Sequence, residues 1–115
     1  MANAWDVLFA ATLTLAAAGP VKQRLANAYH DHLARLDFDD FPKELRDDFG
    51  TLLSTLSCVQ PMRGESAVQA TVRKMSEHEA GDCARRIVNM LGTMTRLQYQ
   101  PRQPMLRAVN SNVAD

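Results

Sequence analysis

Cysteine is scarce in this 115-residue chain, with Cys58 and Cys83 its whole complement. Two cysteines cannot build the multi-bridge framework of small secreted domains, and the chain has no C-x-x-C pair or Cys/His cluster at zinc spacing. They read as reduced, apolar residues of a cytoplasmic protein. Net charge is missing as well. Thirteen basic and thirteen acidic residues cancel, so no global field draws the chain to nucleic acid or to an anionic membrane. The cancellation is uneven, since the residues up to Val59 carry five basic and eight acidic side chains and the rest carry eight and five. No apolar run approaches the roughly 20 residues that cross a bilayer. Val7 to Ala18 has the length of a signal-peptide core, but no basic residue precedes it and Asp6 stands where positive charge belongs. No internal repeat is visible.

Hydrophobic residues make up 46% of the chain, enough at this length for one core that buries roughly two-thirds of the unfolded surface. The pattern predicts an all-α fold, a compact bundle of four to five mostly antiparallel helices over residues 1–97, with a tail over 98–115. The strongest element is Ser76 to Leu97. Ser76 and Glu79 form an S-x-x-E capping box at its start. At 100° per residue Ala80, Cys83, Ala84, Ile87, Leu91 and Met94 share one stripe, while His78, Asp82, Arg85, Asn89 and Arg96 lie opposite. Between them run Gly81, Val88, Gly92 and Thr95. Each interior glycine costs a helix about 1 kcal/mol relative to alanine, so Gly81 and Gly92 imply a second helix approaching closely on that flank.

The first helix opens at Asn3, with Asp6 as its first-turn acid, and runs through Ala18 until Gly19 stops it. Trp5, Leu8, Phe9, Thr12, Leu15 and Ala16 form its main stripe, and Val7, Ala10, Thr14 and Ala17 form a small, uncharged opposite face. No charge occurs from Val7 through Val21. A helix without a charged outer face is expected to be covered on both sides, either inside the bundle or at a dimer interface. Its small face is the natural partner of Gly81 and Gly92. Gly19-Pro20 leads into a second helix from Pro20 to Leu36 that turns Val21, Leu25, Ala28, Tyr29, His32 and Leu36 inward. Asp37 to Phe41 reads as an acidic loop that seats Phe38 and Phe41 in the core, and Asp40 caps a third helix over Pro42 to Ser57 through Leu45, Phe49, Leu52, Leu53 and Leu56. Cys58 to Glu65 is a loop. Ser66 to Met75 fits a short helix or a strand, and the helix is preferred because a lone strand is marginal in water. In the tail, Met105, Leu106 and Val109 are available to dock.

No catalytic or ligand-binding signature stands out. His30 and His32 are two apart and point about 200° from each other on a helix, so they cannot share a metal. His32 reads as a hydrogen-bonded histidine at the core edge. The acidic group around Asp37 to Asp48 lacks the glycine and terminal glutamate of a calcium loop. Neither a metal nor any other cofactor is implied. The expected function is therefore non-enzymatic: a small interaction or regulatory protein that binds a protein partner as a homodimer. Its dimer or packing interface comprises Val7, Ala10, Thr14, Ala17, Gly81 and Gly92, and its partner-binding surface comprises Arg73, Lys74, Arg85, Arg86, Asn89 and Arg96. The same cations carry the alternative, a nucleic-acid-binding regulator, although Glu77, Glu79 and Asp82 at the helix start oppose DNA. A third reading is a metal-dependent helical phosphohydrolase using His30 and Asp31.

Overall fold

A computed structural model describes residues 3–98. Among these there are five α-helices and no strand: α1 Ala4–Leu15, α2 Val21–Asp31, α3 Lys43–Leu56, α4 Ala67–Lys74 and α5 Glu77–Gln98, with two short 3-10 turns at Leu33–Arg35 and Phe38–Asp40. They form an all-α bundle as the pattern predicts. The segment with Met105, Leu106 and Val109 lies outside the described residues.

The core is one cluster to which every helix contributes, including Leu8, Leu25, Leu45, Phe49, Leu52, Val72 and Ile87. The helix α1 packs most extensively against α2 and α5, and α3 and α4 close the other side of α5 and α2. Burial of the largest of these side chains contributes about 1.5–3 kcal/mol each relative to solvent exposure. Phe41 and Phe49 meet with ring centroids 4.5 Å apart.

Local chemistry sets the helix ends. The capping box of α5 is present in full, with Ser76 N donating to Glu79 Oε1 at 2.8 Å and Glu79 N donating to Ser76 Oγ at 3.0 Å. The segment read as helix or strand is the helix α4, opened by a second capping box: Ser66 N donates to Gln69 Oε1 and Gln69 N to Ser66 Oγ. Its buried Thr71 donates to Ala67 O and accepts from Val59 N at 2.9 Å, which ties the 57–66 segment to the bundle.

Four expectations need correction. First, α1 ends at Leu15 rather than Ala18; a turn over 16–19 leads to Gly19 at φ +108, a conformation open to glycine. Arg24 donates to the freed carbonyls of Leu15 and Gly19. Second, α2 stops at Asp31, where His32 leaves helical geometry, and the tighter turn that follows turns Leu33 inward to 1% exposure. Third, Asp40 caps the 3-10 turn instead of α3: its Oδ2 accepts from Asp37 N at 2.7 Å, and α3 starts behind Pro42. Fourth, Phe41 is in the core but Phe38 remains 47% exposed, lying edge-on to Phe49 and over Gly50.

Candidate functional site

The helix α1 carries the largest departure from the sequence pattern. Its buried face is Ala4, Val7, Leu8, Ala11 and Leu15, about a quarter turn from the stripe that the apolar spacing picks out. Phe9 and Leu13 consequently point outward, 42% and 57% exposed. The helix is covered on one side only, and the uncharged stretch that was expected to be enclosed presents an apolar ridge on the subunit surface.

Beside that ridge is an open groove of about 360 Å³ between α1 and α5, lined by Thr12, Leu15, Ala16, Gly81, Ala84, Arg85 and Val88. Ala16, Gly81 and Ala84 give part of its lining small side chains, and Val88 is 43% exposed. The upper end is held by Trp5, whose Nε1 donates to Thr95 Oγ1 at 2.7 Å while Thr95 donates in turn to Leu91 O at 2.9 Å. The Trp5 ring stacks on Phe9 at 5.2 Å. The hydroxyl of Thr12 is buried without a hydrogen-bond partner.

The expected pairing of Gly81 and Gly92 with Ala10, Thr14 and Ala17 does not occur within the subunit. A methyl group at Gly81 would meet nothing within 4 Å, and at Gly92 only the chain's own Arg96 guanidinium at 3.7 Å. The α1 residues facing this flank are Thr12, Leu15 and Ala16. Thr14 faces the other way, its Oγ1 3.1 Å from His32 Nε2, so His32 is the hydrogen-bonded core-edge histidine that its position suggests. Val7 lies inside the core, Ala10 is half-buried and Ala17 is exposed.

The six residues expected to bind a partner fall on separate parts of the surface. Arg73 is engaged with Glu65, Nε to Oε2 at 2.8 Å, and borders a groove between α2 and α4. That guanidinium, together with the Met62 amide that donates to the same carboxylate, holds Glu65 below the usual carboxylate range. Arg85 pairs with Asp82 at 2.7 Å on the rim of the apolar groove. Arg96 is exposed and donates to Thr93. Arg86 and Asn89 line a cleft between α3 and α5 with Asp48, Thr51, Met90 and Thr93. Lys74 joins Arg86 in a further cleft of about 350 Å³, where α3, the 57–66 segment, α4 and α5 meet and where both Cys58 and Cys83 open. Neither that convergence nor the outward turn of Phe9 and Leu13 is visible in the order of residues.

Among the described residues no three His, Cys, Asp or Glu side chains converge as a metal-holding group, and no helix is long and apolar enough to cross a membrane. No protein-family model, curated protein sequence or solved structure matches this chain.

Proposed function

We propose that this chain acts by binding proteins, and that its first partner is a second copy of itself, joined across the face that α1 and α5 share. The observation that carries the reading is the ridge of Phe9 and Leu13 lying next to an open groove lined by Ala16, Gly81 and Ala84. A two-fold axis places each subunit's ridge in the other's groove, which is the self-complementarity that an isologous dimer requires. Apart from Arg85, which Asp82 already pairs, the groove lining is uncharged, so it offers little to a strongly charged partner.

With that face occupied, the surface for a different protein is the other flank of α5, where Arg86 and Asn89 line the cleft against α3 and Lys74 lies close by. Arg86 and Lys74 stand there beside Asp48, Glu79 and Asp82, a mixed-charge surface that suits a protein partner of mixed charge in the cytoplasm, where two free thiols stay reduced. The reading is of a non-enzymatic interaction or regulatory module.

Light scattering and sedimentation of the purified chain at micromolar concentration test the self-association. Leu13→Glu is the diagnostic variant, because a side chain more than half exposed in the subunit can be exchanged without opening the core. The native chain should sediment as a dimer and the variant as a folded monomer with unchanged circular dichroism. A native chain that stays monomeric throughout would overturn the proposal.

A further inference from the structure

The open groove of about 320 Å³ between α2 and α4 is lined by two cations, Lys22 and Arg73, by His30 and by three side-chain amides, and no carboxylate lines it. One side of α2 supplies Lys22, Gln23, Asn27 and His30, since positions i, i+1, i+5 and i+8 of a helix fall within less than half a turn of one another. That wall is about 12 Å long. The helix α4 supplies Gln69 and Arg73 to the facing wall.

Internal hydrogen bonds consume most of the side-chain acceptors in this groove and leave its donors. Gln69 Oε1 accepts from Ser66 N at 2.8 Å, and Asn27 Oδ1 accepts from Gln23 Nε2 at 3.0 Å. Lys22 Nζ donates to Arg73 O at 2.9 Å, which occupies a carbonyl at the end of α4 that would repel an anion. What is left is two N–H groups on Lys22, the amide NH2 groups of Asn27 and Gln69, and a ring N–H on His30. Lys22 forms no ion pair among the described residues. Arg73 is committed in part: Glu65, which does not line the groove, engages its Nε and Nη2 and leaves Nη1. Asp31, next to His30 in the chain, does not line it either.

We propose that this groove binds a small molecule through its phosphate groups, held between Lys22 of α2 and Arg73 of α4. Phosphate oxygens only accept hydrogen bonds, so they match a surface whose unused groups are donors, and N–H···O bonds from a cation are about twice as strong as neutral ones. Two cations less the Glu65 carboxylate leave one positive charge to attract the ligand, and the neutral donors orient it. The site shares no lining residue with the face between α1 and α5, so it is independent of the proposed dimer.

The experiment titrates the full chain with pyrophosphate at low salt and follows backbone amide shifts by nuclear magnetic resonance, with sodium chloride at matched ionic strength as the blank. Saturable shifts centred on Lys22, Asn27, Gln69 and Arg73 are expected, with a dissociation constant of about 1 mM or below. Lys22→Ala should weaken binding about tenfold, and Lys22→Arg, which keeps the charge, should retain most of it. Lys43→Ala, the same change of charge at an exposed position on α3, should bind as the native chain does. Shifts that never saturate, that sodium chloride reproduces or that centre elsewhere overturn the proposal, as does an equal loss in Lys22→Ala and Lys43→Ala. The native titration decides the matter even if Lys22→Ala fails to fold.

Discussion

Replacing Gly81 by alanine separates two reasons why α5 carries a glycine. Within the subunit an added methyl meets nothing within 4 Å, and Gly81 lies well inside the Glu77–Gln98 helix. Alanine should therefore gain the full propensity difference of about 0.8–1 kcal/mol, which for a domain of this size raises the melting temperature by about 3–8 °C. Gly92→Ala has the same expectation, its nearest foreign atom being a flexible guanidinium at an ordinary 3.7 Å. The two sites are eleven residues, or about 16 Å, apart on the helix, so their effects should add. Across the proposed dimer the sign reverses at Gly81. A methyl on the groove lining meets the partner's ridge, and a dissociation constant weakened about tenfold corresponds to about 1.4 kcal/mol. Urea unfolding followed by circular dichroism in dilute solution reads the subunit, and sedimentation at higher concentration reads the association. A less stable dilute Gly81→Ala chain would refute the open flank, and an unchanged dissociation constant would remove Gly81 from the interface.

Thr12→Val keeps the shape of the side chain and removes a buried hydroxyl that has no partner, so it should stabilise the chain by up to about 1 kcal/mol; a loss of that size in urea unfolding would show that the hydroxyl is satisfied. Trp5→Phe deletes the hydrogen bond to Thr95 and some packing where α1 meets α5, and should cost about 1–2 kcal/mol in the same assay. The Glu65 carboxylate is held below its ordinary value of 4.5 first by the hydrogen bond from Arg73 and then by the Met62 amide. Its contribution is present above that value and is lost as pH falls through the lowered one. The stability difference between the native chain and Glu65→Gln should accordingly be constant near neutral pH and shrink below about pH 4.5 in pH-dependent thermal unfolding.

The sequence displays α5 clearly, because capping box, apolar stripe and charged face all agree there and burial follows the stripe at Ala80, Cys83, Ile87 and Met94. Met90, also buried, lies at the far edge of that stripe, where the helix meets α3. The helix α4 was preferred over a strand only because a lone strand is marginal in water; its deciding local signal, the Ser66 and Gln69 capping box, was missed, and eight residues are too few to distinguish a period of 3.6 from one of 2. The end of α2 was not legible. His32 and Leu36 read as a continuing helical face, and nothing in the one-dimensional order marks His32 as the residue that leaves helical geometry or Leu33 as the one that turns inward. The convergence of Cys58 and Cys83 depends on how α3, α4 and α5 meet, a long-range packing outcome with no local signal.

The failure on α1 has a different origin, and it bears on function. A helical phase is read from contrast, and α1 offers almost none: Asp6 in its first turn is its only charged residue, and small or large apolar groups occupy every side. The stripe chosen by side-chain size fell on Trp5, Phe9, Thr12 and Ala16, which face α5 and the surface, while the core took Val7 and Ala11. A surface helix of a solitary subunit would mark its outer side with charge, because exposed Phe and Leu gain nothing from water and invite association. The lack of a polar mark that misleads the phase and the exposed ridge of Phe9 and Leu13 are therefore one property of the same twelve residues. The proposed dimer covers this outer side of α1, and charge introduced at Leu13 tests that proposal.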